Sequence, residues 1–172
     1  MDRQTSKDIL ALSRRLARTL TKAGVDDARR LELCKNLLNP FCKDTPLDRL
    51  AAVLRRKTID ERHYWIGTFY TLLLPEKQRR KQAAYFTPPQ LSRAVVGLLK
   101  DNGFAPLKHS VLDPAAGGAA FLSTIAAEMT KAGATPESIL KRIRGIEIDA
   151  GLGRLSEALI GERLNRQIRA RS

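Results

Sequence analysis

Two acidic segments in the second half of the chain have the residue types and spacing to hold a small molecule. Residues 111–121 read VLDPAAGGAAF, and residues 145–149 read GIEID. In the first segment an apolar run reaches an aspartate and then two adjacent glycines, which let the backbone turn sharply and let a ligand approach main-chain N–H groups. In the second segment an apolar run reaches Glu147 and Asp149. The pattern favours recognition of a ligand at the ends of two strands.

The charges of these segments restrict the ligand. A carboxylate at the end of the first strand suits a cationic group better than a bare phosphate, and a carboxylate after the next strand can accept both hydroxyls of a ribose. S-adenosylmethionine carries both an ammonium group and a ribose. The chain has no GxxxxGK[ST] phosphate loop, and its adjacent glycines do not form a full GxGxxG pattern. From spacing alone, a dinucleotide site of the Rossmann type remains the alternative.

The elements that must position these segments follow from the hydrophobic period. The first 75 residues predict amphipathic helices, with Thr58 and Glu61 as a capping box, Thr45 as an N-cap and Pro46 at a first helical position. A basic and then proline-bearing connector over residues 76–90 follows, with its charged block at residues 77–81. The predicted helices of this part span about residues 6–24, 26–40, 45–57 and 58–75.

Beyond the connector the period changes. A helix with an apolar stripe precedes a strand at 110–113, a helix over about 119–132, a strand at about 143–149 and a last helix from about 152. Alternation of strand and helix is typical of a parallel sheet. We therefore predict two domains, residues 1–76 and 77–172. The stripe of the first of these helices consists of Leu91, Val95, Leu98 and Leu99.

Composition limits the classes of function. The net charge is +13 and the pI is about 10.3, and both halves are basic, which favours nucleic acid as a partner. A solvated basic surface is the alternative, and it is the preferred interpretation of the block at residues 77–81. No apolar run approaches the roughly 20 residues of a membrane span, and no secretory signal is present, so we expect a cytoplasmic protein without membrane contact. Cys34 and Cys42 fit no metal-site spacing, so no metal is expected.

Three segments, in order, resemble a known family. AYFTPPQL at 84–91, VLDPAAGGAAF at 111–121 and GIEID at 145–149 look like the opening motifs of the N6-adenine DNA methyltransferases, which include the modification subunits of type I restriction systems. The resemblance implies S-adenosylmethionine as cofactor and DNA as substrate. It also implies an α/β fold: an N-terminal helical lobe followed by a partial Rossmann-like S-adenosylmethionine-dependent methyltransferase domain.

The resemblance also assigns residues to the cofactor. Residues 85–88 would line its methionine end, Asp113 would hold the ammonium group, and Glu147 would bind the ribose beside Ile148 at the adenine. The bland alternatives are a turn-capping role for Asp113, an exposed strand end at Glu147 and core packing for Phe86. The complete set of predicted cofactor-binding residues is Tyr85, Phe86, Thr87, Pro88, Asp113, Ala115, Gly117, Ala119, Phe121, Glu147, Ile148 and Asp149.

One position departs from the family pattern. Where the family has the second glycine of its loop, this chain has Ala119. If that position has positive φ, the methyl group costs about 1 kcal/mol or obstructs the ligand.

A second departure concerns the target base. The family grips a flipped adenine with an Asn-Pro-Pro-Tyr or Asn-Pro-Pro-Phe segment, and the nearest match here is Asn39-Pro40-Phe41, which we interpret as a helix stop. No catalytic residue is therefore assigned. We expect a fragment, a truncated gene product or one part of a split enzyme, inactive alone, whose open sheet edge leads to self-association or to pairing with a second polypeptide. The rival functions are a non-catalytic nucleic-acid-binding module and an S-adenosylmethionine-dependent methyltransferase of RNA or protein.

Overall fold

A computed structural model describes residues 3–39, 46–81 and 86–164 and divides the chain between Phe86 and Thr87 into two units. The predicted boundary lies ten residues earlier, after residue 76. The first unit is helical in its described residues. Its helices are α1 (Arg3–Lys22), α2 (Asp27–Leu38), α3 (Asp48–Arg55), α4 (Ile59–Leu72) and α5 (Glu76–Lys81).

Helix α4 forms the centre of the first unit. Its start confirms the capping box: the Thr58 hydroxyl accepts from the Glu61 backbone N–H at 3.3 Å, and the Glu61 carboxylate accepts from the Thr58 N–H at 3.2 Å. Because α4 is apolar on most of its circumference, it packs against α1, α2 and α3. The fully buried side chains of this core include Ile9, Leu33, Leu50, Leu54, Ile66, Phe69, Tyr70 and Leu73.

Two local predictions for this unit are wrong. Helix α3 begins at Asp48, and Pro46 lies in the turn before it rather than at a first helical position. The basic segment after Pro75 is the short helix α5 rather than an irregular connector, and an i,i+4 pair between Glu76 and Arg80 at 2.5 Å supports it. Thr45, the predicted N-cap, lies outside the described residues.

The thiol of Cys34 is structural. The side chain is fully buried, its sulfur is 4.0 Å from the Ile66 carbonyl oxygen, and burial raises the pKa of the thiol well above its usual range. Cys42 lies outside the described residues. Within the residues that the structure describes, no three His, Cys, Asp or Glu side chains converge as metal ligands, and no helix is long and apolar enough to cross a membrane.

The second unit contains the sheet. Its elements are α6 (Pro89–Asp101), β1 (Val111–Asp113), α7 (Ala120–Lys131), α8 (Pro136–Arg142), β2 (Ile143–Gly145) and α9 (Ala150–Arg163). The strands β1 and β2 pair in parallel, as predicted, with Asp113 opposite Gly145. Helices α7 and α8 connect them; α8 was not predicted from the sequence. Helix α7 packs against α6, α8 and α9. The mostly helical chain with a small parallel sheet is compatible with part of an α/β methyltransferase. The core residues include Val96, Ala119, Leu122, Ile125, Met129, Ile139 and Ile143.

The predicted stripe of α6 is wrong. The helix buries Ser92 and Val96, whereas Leu91 and Leu98 are 53% and 62% exposed. The buried face makes a polar contact with α7: the Thr124 hydroxyl lies 3.2 Å from the Ser92 hydroxyl, and both groups are buried. Hydrophobicity alone cannot reveal that a serine faces the core, because its partner is 32 residues away.

Candidate cofactor site

Parallel pairing brings the two acidic segments together. The carboxyl ends of β1 and β2 meet at one edge of the sheet, and the pairing continues past β2 because the Ile146 N–H donates to the Asp113 carbonyl oxygen at 2.9 Å. The Ala116 N–H in turn donates to the Ile146 carbonyl oxygen at 2.9 Å. The loop at 114–119 is thereby fixed against the segment at 146–149. Strand β2 itself ends at Gly145, four residues before the predicted end.

The loop after β1 has the backbone geometry that a close turn requires. Gly117 has φ of 50°, and Ala119 has φ of 58° and ψ of 26°, in the left-handed region. The Ala119 N–H donates to the Ala116 carbonyl oxygen at 2.7 Å, and the Ala119 carbonyl accepts the Ser123 N–H in the first turn of α7. Ala119 thus serves as the N-cap residue of α7 at a position where L-residues are strained.

Asp113 has one satisfied and one orphaned carboxylate oxygen. Its Oδ1 accepts the Ala115 N–H at 3.1 Å, so the turn-capping role is present. Its Oδ2 is buried and has no hydrogen-bond partner among the described residues. A buried carboxylate oxygen without a partner is costly. An ammonium group at Oδ2 would remove that cost, so Asp113 fits a cationic ligand.

Glu147 clamps the loop to the second acidic segment. Its Oε2 accepts the Gly117 N–H at 2.9 Å and its Oε1 accepts the Asp149 N–H at 2.9 Å. This clamp was missed from the sequence, because its partners are backbone groups, one of them 30 residues away. A carboxylate has about four acceptor positions, so two remain for ribose hydroxyls. Ribose binding by Glu147 stays a prediction.

The neighbouring residues fall into structural and exposed positions. Asp149 is the N-cap of α9, and its Oδ1 accepts the Leu152 N–H at 2.8 Å. The hydroxyl of Ser156, which the sequence did not single out, donates to the Gly117 carbonyl oxygen from α9. Ile148 is 92% exposed, which leaves its side chain available to a flat ring. Ala115 is exposed and Phe121 is half-buried at the start of α7.

The segment at 85–88 is divided between the units. Phe86 belongs to the first unit, where its ring lies on α4: a Cβ at Gly67 would be 2.6 Å from the Phe86 Cδ1. This contact gives Phe86 the core-packing role. Thr87 is half-buried, and Pro88 caps α6, its carbonyl accepting the N–H groups of the first turn at 3.0 and 3.1 Å. Tyr85 lies outside the described residues. Cofactor contacts by this segment stay predictions.

A cavity of about 550 Å³ borders the clamp. It runs along β2 and the inner side of α9, and its walls include Gly145, Glu147 and Ser156. Its size is within the range of small-molecule sites. Asp113 is not among its lining residues, so the cavity adjoins the predicted ammonium site from the β2 side.

The comparison with known families decides the assignment. The model of the N-6 DNA methylase family matches residues 62–159, more than half of the chain. The chain belongs to the N-6 DNA methylase family. The match begins inside α4 and ends inside α9, so it contains every residue predicted for the cofactor. Comparison with curated proteins and with solved structures found no match.

Membership in the N-6 DNA methylase family indicates a DNA N6-methyltransferase-like function, and it implies DNA as the substrate. The family prediction made from three short motifs is thus confirmed. It rested on residues 84–91, 111–121 and 145–149, all of which lie inside the matched range.

Replacing Ala119 with glycine is expected to change the free energy of unfolding by less than about 1 kcal/mol. Glycine relieves a left-handed strain of about 1–2 kcal/mol, but it also removes a fully buried methyl group worth about 0.8 kcal/mol and increases backbone entropy in the unfolded chain. Denaturant unfolding measures the balance. Ala119→Val is the control and should lose more than about 2 kcal/mol, because a β-branched residue is an outlier at positive φ. A comparably large loss in Ala119→Gly would contradict the strain argument.

Proposed function

We propose that the chain binds S-adenosylmethionine at the β1–α7 loop and takes part in transfer of its methyl group to adenine N6 in DNA, within restriction-modification or phage defence. The observation that carries the proposal is the buried Oδ2 of Asp113 at the end of β1, which has no hydrogen-bond partner among residues 3–39, 46–81 and 86–164. When bound, S-adenosylmethionine supplies an electrophilic methyl group. In the proposed site Asp113 holds the ammonium group, and the backbone at Gly117 passes beside the cofactor.

Glu147 has two tasks in this proposal. Its carboxylate holds the loop closed through the Gly117 and Asp149 N–H groups, and its remaining acceptor positions receive the ribose hydroxyls. The side chain of Ile148 covers the adenine. A Rossmann-like arrangement of the second unit and a cytoplasmic location are parts of the same proposal.

The base-gripping step requires a further element. The 172 residues contain no Asn-Pro-Pro-Tyr or Asn-Pro-Pro-Phe segment, and Asn39, in the nearest match, caps the end of α2 as the helix-stop interpretation expects. Pro40 and Phe41 lie outside the described residues. We therefore propose that this chain alone binds cofactor and DNA without turnover, and that a second polypeptide or segment supplies the grip on the adenine.

Calorimetric titration with S-adenosylmethionine and with its demethylated product S-adenosylhomocysteine tests the cofactor site. We expect both to bind with a Kd between about 1 μM and 1 mM, equivalent to roughly −8 to −4 kcal/mol. A methyl-transfer assay on adenine-containing duplex DNA should give no product with the chain alone. Absence of binding heat for both ligands would contradict the proposed site, and turnover would contradict the proposed need for a further element.

A non-catalytic nucleic-acid-binding module is the second candidate. The observation in its favour is that both carboxylate oxygens of Glu147 already accept backbone N–H groups, as a purely structural residue would. The calorimetric titration separates the two candidates, because this module would bind DNA and give no heat with either ligand.

One face of the sheet supports a proposal of association. Strand alternation places Leu112 and Ile146 on the same face, and they are 59% and 57% exposed. Exposed apolar surface beside a short sheet favours association with a second copy or another polypeptide. We expect light scattering to give a mass above 19.1 kDa, and the double variant Leu112→Glu, Ile146→Glu to give the monomer mass. A monomeric unmodified chain would refute this association.

A further inference from the structure

A cleft in the first unit collects arginine side chains. Its volume is about 430 Å³, and it lies between the second half of α1 and the segment that joins α4 to α5. Arg14 and Arg18 line it from α1, where their i,i+4 spacing places them on one face. Arg79 lines it from α5. Two separate helices therefore contribute arginine residues to the lining of one concavity.

The three arginines have no acidic partner in the part of the chain that the structure describes. Other arginines of this unit are paired: Arg29 with Glu32 at 3.0 Å, and Arg30 with Asp27 at 2.7 Å. The acid on the wall of the cleft, Glu76, is itself bound to Arg80 at 2.5 Å. The cleft thus has a local excess of positive charge.

The floor of the cleft strengthens its electrostatics. Ala17 and Leu74 lie among its lining residues and are almost completely buried. Charges beside an apolar floor are screened less than charges on a flat, solvated surface. Guanidinium groups also match phosphate oxygens in geometry, because each can donate two parallel hydrogen bonds.

We propose that this cleft binds a phosphate of the DNA backbone and positions the duplex on the helical unit without reading its sequence. The proposal rests on the proposed function for the identity of the polymer, since DNA is the substrate that the family implies. Phosphate contacts fix orientation and register but distinguish no bases. The cleft would therefore contribute affinity that depends strongly on salt and little on sequence.

The test compares two triple variants that remove the same charge from the same unit. The cleft variant is Arg14→Gln, Arg18→Gln, Arg79→Gln. The matched control is Arg15→Gln, Arg49→Gln, Arg55→Gln, three exposed arginines outside the cleft. Fluorescence anisotropy with two unrelated DNA duplexes, over a series of salt concentrations, gives the affinity and its salt slope for each protein. Thermal melting of each variant checks that it folds.

We expect the cleft variant to bind both duplexes about 100-fold more weakly at low salt, with a slope of log K against log salt reduced by about 1, since one phosphate contact contributes about 0.9. The control should lose less than about tenfold. Equal losses in the two variants, or no loss in the cleft variant, would overturn the proposal. If the cleft variant melts early, a triple variant with lysine at the same three positions replaces it. This variant should show an intermediate loss of affinity, because lysine keeps the charge but lacks the bidentate guanidinium. Unchanged affinity in the lysine variant would also overturn the proposal.

Two further arms identify the source of the phosphate and separate this proposal from the cofactor site. Inorganic phosphate at about 1 mM is too dilute to weaken DNA binding through ionic strength alone. If it nevertheless displaces DNA, the cleft binds a free anion and the proposal is overturned. If duplex RNA binds more tightly than duplex DNA and the cleft variant loses RNA binding to the same degree, the proposal is overturned in favour of RNA. S-adenosylmethionine should bind the cleft variant as it binds the unmodified chain. If the cleft variant selectively loses DNA binding and the unmodified chain binds no S-adenosylmethionine, the cleft is established and the proposed function is refuted.

Discussion

The substitution Asp113→Asn is expected to weaken S-adenosylmethionine binding about 100-fold. The ligand-free chain should be as stable as before, or slightly more stable. The substitution keeps the shape of the side chain, and its Oδ1 can still accept the Ala115 N–H. The second oxygen becomes an amide group that cannot accept a hydrogen bond from an ammonium group. A hydrogen bond to a charged group contributes about 1.5–3 kcal/mol, and each 1.4 kcal/mol is tenfold in affinity.

The experiment separates the two interpretations of Asp113. Calorimetric titration measures affinity, and denaturant unfolding without ligand measures stability. Asp101→Asn is the matched control, because Asp101 is an exposed acid at the end of α6 and carries the same change of charge. If Asp113 only caps the turn, Asp113→Asn and Asp101→Asn will bind the cofactor equally well, and the proposed ammonium site will be wrong.

The order of elements in the second unit could be predicted, except for the short helix α8, because the other elements are signalled locally. The change from a helical period to short apolar runs located β1 and β2, and the pair of glycines located the turn between β1 and α7. Thr58 and Glu61 located the start of α4 for the same reason, since a capping box spans only four residues. Signals of this kind need no knowledge of tertiary contacts.

The errors at α6, Glu147 and Ser156 have the opposite cause. The predicted buried face of α6 was wrong, and the contact of Ser92 with Thr124 on another helix could not be read from the sequence of α6 alone. The clamp at Glu147 and the Ser156 contact with Gly117 were missed because they join groups 30 and 39 residues apart. An acidic residue after a strand predicts a ligand site or a structural acceptor equally well. Only the loop geometry reveals that Glu147 is a structural acceptor of backbone N–H groups.

A large loss of stability is expected from Glu147→Gln. Both carboxylate oxygens accept backbone N–H groups, and glutamine can satisfy only one of them while its own amide donor faces the other. An unsatisfied or opposed backbone donor in a partly buried position costs about 1–3 kcal/mol. For a unit of this size, a loss of about 2 kcal/mol lowers the melting temperature by roughly 8–16 °C.

The loop geometry explains why this loss appears without any ligand. Glu147 accepts the Gly117 N–H, and the Ser156 hydroxyl on α9 donates to the Gly117 carbonyl oxygen. These two contacts hold Gly117 at its φ of 50°. Glu157→Gln is the matched control, because Glu157 lines the same cavity from α9 and is exposed. Thermal unfolding followed by circular dichroism should show an early transition for Glu147→Gln only. Equal melting temperatures for the two variants would mean that the carboxylate acts on the ligand alone and that the clamp contributes nothing to the fold.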